Sequence, residues 1–82
     1  IKTLWYMKNT QRYQYRKIIN SLIEQRKLQK LSQEKVALTI GTDTKLFGQW
    51  ERMEVEPRLF NLLCWCEALN VFLIICCDDD EF

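Results

Sequence analysis

Four thiols, Cys64, Cys66, Cys76 and Cys77, are the most reactive groups in this chain of 82 residues. Neither pair has the two-residue gap of a zinc knuckle, and on a helix Cys64 and Cys66 would point to different faces. On a strand Cys76 and Cys77 would fall on opposite sides. Buried free thiols are therefore expected, with no metal and no cofactor; redox sensing or an intermolecular disulfide are the alternatives. The chain has no histidine. That excludes Ser–His and Cys–His nucleophilic catalysis and the usual neutral-pH general base. With no glycine-rich phosphate loop either, nothing assembles a reaction centre, and an enzyme is not expected. The groups that remain are cations, amides and hydroxyls, which bind rather than react.

The cations are unevenly placed. Residues 1–52 hold eleven Lys or Arg against four Asp or Glu, a net +7, whereas residues 53–82 hold one against seven, a net −6. The total of +1 conceals one part suited to a polyanion and another that would repel it. At 48% hydrophobic and 28% charged residues the composition is that of a globular chain, and its length allows one domain. Two glycines and one proline are too few for a fold of many short strands. The longest apolar run, 71–77, is about a third of the ~20 residues a membrane span needs, so no membrane partner is expected. Residues 1–7 contain Lys2 and no small-residue cleavage site, so no secretory leader is expected there.

The elements that must position these groups are read as helices. Thr10 is the expected cap of a helix over 11–29, whose apolar stripe is Tyr15, Ile18, Ile19, Leu22 and Ile23. Ser32 caps a second helix carrying Glu34, Val36, Ala37 and Ile40, and Gly41 stops it in the left-handed conformation. Asp43 caps a third, running to about Arg52 with Leu46, Phe47 and Trp50 facing inward. Pro57 opens a largely apolar fourth over 58–69 (Leu59, Phe60, Leu62, Leu63, Trp65, Ala68, Leu69), with Asn70 as its stop. Residues 71–77 are β-branched and aromatic and predict a strand or extended segment covered on both sides.

Two short helices joined at Gly41, the second opened by its own cap, are the helix-turn-helix unit. The stretch 22–75 resembles the Xre/Cro/C1-type helix-turn-helix family of phage repressors and bacterial regulators. The residues that carry the resemblance are Arg26, Leu31-Ser32-Gln33-Glu34, Val36-Ala37, Ile40-Gly41, Asp43, Phe47, Trp50-Glu51, Pro57 and Leu69-Asn70-Val71. Gly41 to Glu51 is the family's ten-residue step. The resemblance implies a mainly α, four- to five-helix lambda-repressor-like domain over 10–70. An N-terminal extension over 1–9 precedes it, and a short β-strand with an acidic tail over 71–82 follows.

It also implies roles. The recognition helix would lie in the major groove with Thr44, Lys45, Gly48 and Gln49 at base edges, Lys45 donating to guanine and Gln49 pairing an adenine edge. Ser32 and Gln33, with Lys27 and Lys30, would meet phosphates. Arg26 and Glu51 would form a structural ion pair that fixes the recognition helix's angle. Two departures from the family stand out: Gly48 replaces a small polar residue, and Met53 replaces the glycine after Glu51. The second removes an easy left-handed exit and predicts a differently shaped loop over 53–56.

An isolated strand needs a partner. Val71, Phe72, Leu73, Ile74 and Ile75 are therefore expected to pair with a second copy in a homodimer, the alternatives being packing back on the chain's own helices or pairing with the N-terminal segment 1–6. The function so implied is a sequence-specific, cytoplasmic, nucleoid-associated transcriptional regulator, a repressor that binds double-stranded DNA. The alternatives are the antitoxin of a toxin–antitoxin pair, with a toxin as second partner, and a protein-interaction module that has lost DNA binding.

Overall fold

The computed structural model describes residues 2–75, and side chains from residue 10 onward. Four helices follow one another among them: α1 (Lys2–Leu28), α2 (Gln33–Ile40), α3 (Thr44–Glu51) and α4 (Leu59–Ala68). The architecture is mainly α. Helix α2 packs against α3 and α4, and α1 against α3.

Local chemistry sets the helix starts. Ser32 Oγ accepts from the Lys35 N–H at 3.0 Å, and Asp43 Oδ1 from the Leu46 N–H at 2.7 Å. Each satisfies an amide that the first turn leaves without a carbonyl partner, and such a cap contributes about 1 kcal/mol. Helix ends follow a shared pattern. Lys30, Gly41, Met53 and Asn70 all have positive φ (58°, 92°, 61° and 59°). After each, an amide returns to the carbonyl five residues back: Leu31 to Arg26, Thr42 to Ala37, Glu54 to Gln49 and Val71 to Cys66, at 2.9–3.0 Å. This is the Schellman closure. Only one of the four residues is glycine, and for the others the left-handed backbone costs about 1–2 kcal/mol. Met53 thus keeps the left-handed exit that the missing glycine would have made easy. Its side chain packs against the core, which offsets the strain.

Ile19 and Leu22 of α1, Val36 and Ala37 of α2, Phe47 and Trp50 of α3, and Leu62, Trp65, Cys66 and Leu69 from the α4 region form one buried cluster. At its centre the rings of Phe47 and Trp65 meet edge to face with centroids 4.8 Å apart, and Trp50 lies 6.0 Å from Phe47. Such pairs add about 0.5–1.5 kcal/mol beyond the area they bury. The indole N–H of Trp65 finds no acceptor among the described residues, so its burial is carried by packing alone.

Two elements differ from the sequence reading. Helix α1 begins at Lys2, placing Thr10 inside the helix rather than at its cap. Residues 2–9 contain neither Gly nor Pro, so nothing interrupts helical hydrogen bonding there. Residues 71–75 form no strand. None of the described residues lies in a strand, so they supply no neighbouring ladder for this segment. Cys76, Cys77 and the acidic residues 78–81 lie outside the described residues. Among the described residues no helix is long and apolar enough to cross a membrane.

Candidate nucleic-acid interface

The turn from Gly41 to Asp43 joins two eight-residue helices, and buried side chains decide which side of α3 faces out. Phe47, Trp50 and Glu51 point inward. Lys45, Gly48, Gln49 and Arg52 recur at the three-and-four spacing of one helix face, on the opposite side. Thr44 and Lys45 are exposed and Gln49 is half-buried. Gly48 is buried, because neighbouring side chains cover it: a Cβ built there would lie 3.2 Å from Arg52 Nη1 and 3.6 Å from Gln33 Oε1.

The angle of α3 is held from behind. Glu51 accepts from Arg26 Nε at 2.7 Å, from Arg26 Nη2 at 3.1 Å and from Gln33 Nε2 at 2.7 Å. Arg26 Nη1 donates to the Leu31 carbonyl at 2.8 Å. The Arg26 and Glu51 side chains are 11% and 5% exposed, so water contributes little and the bidentate pair must satisfy its own charges. Four points are tied together: the end of α1, the turn after it, the first residue of α2 and the last of α3. Gln33, expected at a phosphate, has its amide nitrogen engaged by Glu51 and only its oxygen turned toward Gly48. Gln29 Nε2 adds a further clamp on the Leu69 carbonyl at 2.7 Å.

Ser32, Lys27 and Lys30 are exposed around the start of α2, with Lys35 beside them. Arg52 is the residue that the sequence reading left out. It follows α3 in αR conformation, its N–H bonded to the Gly48 carbonyl at 3.0 Å. Its Nε donates to Glu54 Oε2 at 2.8 Å and its Nη2 to Glu54 Oε1 at 3.4 Å. Hydrogen bonding to Glu54 raises the guanidinium's pKa, and the same bond lowers that of the Glu54 carboxyl. The 45-48-49-52 spacing is the sequence signal that places Arg52 on this face.

No group of three or more Cys, Asp or Glu among the described residues could hold a metal ion. Cys64 and Cys66 are free thiols, and burial pushes the Cys66 thiol up. A second surface is apolar. Leu59, Phe60 and Leu63 on α4 are exposed, as are Phe72 (88%), Ile74 and Ile75 (92%) in the segment that follows. Phe60, Leu63, Phe72 and Leu73 line a groove between that segment and α4, while Leu73 and Ile18 of α1 line a second one. Val71 packs against the core. A scan against protein-family models, a search of curated proteins and a search of solved structures each return no match.

Proposed function

We propose that this chain is a sequence-specific DNA-binding transcriptional regulator of the Xre/Cro/C1 type, a repressor that works as a homodimer at the nucleoid. One observation carries the reading: α3 turns Lys45 and Gln49 outward on a helix locked in place by the Arg26–Glu51–Gln33 network. A rigid helix with an ammonium and an amide on its outer face suits the major groove, where guanine presents acceptors and adenine an acceptor and a donor. Thr44 stands at the helix start beside them. The α2 N-terminus, Ser32, Lys27 and Lys30 form the phosphate-facing flank.

The apolar surface of α4 and residues 71–75 supports the second half of the reading. Exposed apolar side chains gathered on one surface are what a protein contact would use. A second copy seated there would cover Phe60, Phe72, Leu73, Ile74 and Ile75 and offer hydrogen-bond partners to the backbone after Val71. The same surface would serve a toxin, which is the second reading.

Selection of bound sites from random double-stranded DNA, followed by binding across a salt series, tests the proposal. The expected result is an inverted repeat with half-sites about 34 Å apart and affinity that falls by about 0.9 log units per log unit of salt for each phosphate neutralised. Recovery of no enriched sequence, with only weak binding to any duplex, would remove the reading.

A further inference from the structure

We infer that Arg52, folded back over Gly48, supplies the side chain that position 48 lacks, and that its guanidinium reads a guanine edge. The inference rests on the DNA-binding reading above and adds a specificity residue to it. Side chains on a helix lean toward its N-terminus and lie over the turn before their own Cα. Arg52 does so, because its backbone continues the helical turn and its N–H bonds to the Gly48 carbonyl. Where a side chain at 48 would begin, Arg52 Nη1 and Gln33 Oε1 lie 3.2 and 3.6 Å from the Cβ position. The glycine keeps this space open: an alanine would make the flexible end of Arg52 give way by a few tenths of an ångström.

Arg52 shares that face with Lys45 and Gln49, so one stripe presents an ammonium, a guanidinium and an amide in succession. The guanidinium is the side chain whose planar fork matches O6 and N7 of guanine. Both bonds to Glu54 come from Nε and Nη2, and neither uses Nη1, the nitrogen nearest Gly48. Glu54 thus holds Arg52 through Nε and Nη2 and leaves Nη1 outside that contact. Its carboxylate also opposes a phosphate there, which favours a base over the backbone as the occupant.

The test is site selection with the full chain as wild type, Arg52→Ala, Arg52→Lys and Glu54→Gln, each checked for unchanged thermal unfolding. Wild type is expected to select guanine at one half-site position by about 5- to 100-fold over other bases. Arg52→Ala should lose that preference while those owed to Lys45 and Gln49 persist. Arg52→Lys, with the charge but not the fork, should lose most of it at an unchanged salt slope. Glu54→Gln should keep the preference and bind a few-fold more tightly. A uniform loss across all sequences in Arg52→Ala, with the salt slope lower by about one, identifies a phosphate contact and overturns the inference. Unaltered specificity in that variant overturns it too. In both cases the wild type still selects an operator, so the DNA-binding reading stands; if wild type selects nothing, that reading fails with it.

Discussion

Replacing Arg26 by alanine would leave Glu51, whose side chain is 5% exposed in the intact pair, with one donor, Gln33 Nε2, in place of three. It would also strip the Leu31 carbonyl of its partner. Breaking a buried pair by removing one member costs about 3–5 kcal/mol, most of it the uncompensated charge. A domain of this length has about 4–12 kcal/mol of total stability. The loss is therefore a large share of the whole, and Arg26→Ala is expected to unfold at much lower urea than wild type. With a urea slope of about 1 kcal/mol/M for a small domain, the midpoint should fall by about 3 M or more. Circular dichroism at 222 nm reports the helices and fluorescence of the buried Trp50 and Trp65 the core, and both should move together. Arg26→Met with Glu51→Leu removes both charges at once and should recover most of the loss, because no buried ion is left alone. Arg26→Lys should fall between, since a point charge cannot reproduce the two-pronged contact. If Arg26→Ala and the double variant both unfold within 1 kcal/mol of wild type, the pair does not hold α3 and the network argument is wrong.

Three other outcomes are expected. Gly41→Ala should destabilise by about 1–2 kcal/mol in urea unfolding through backbone strain alone, because φ is +92° and a methyl there meets nothing within 4 Å. Iodoacetamide at pH 7.5 should label Cys66 only as the protein unfolds, since burial both blocks access and holds the thiol above its usual pKa; rapid labelling in native buffer would contradict the packing described. Phe72→Ser with Ile74→Ser should change thermal stability by no more than about 0.5 kcal/mol, as both side chains are exposed in one chain. In sedimentation the same variant should shift dimer to monomer, and an unchanged distribution would move the self-contact elsewhere.

The helical class, the turn at Gly41 and the caps at Ser32 and Asp43 are legible in the chain because each depends on groups within a few residues of one another. A hydroxyl or carboxylate reaches an amide three residues on, and glycine tolerates positive φ wherever it stands. Asn70 as a stop belongs to the same group. Resemblance, not local pattern, named Arg26 and Glu51, 25 residues apart; only the packed helices bring them to 2.7 Å and add Gln33. Local rules also failed where context overrides them. Met53 takes a left-handed backbone because its side chain finds the core, Lys30 does so to close α1, and α1 runs through Thr10 because no residue before it breaks the helix. Residues 71–75 have strand composition, yet a strand is a pairing, and the described residues of one chain hold no strand to pair with. The position of Arg52 over Gly48 required three-dimensional placement as well, since it joins a side chain to a vacancy that neither residue specifies alone. Short-range hydrogen bonding and backbone preference are written in residue order, whereas the interface is composed of contacts that exist only after the helices have packed.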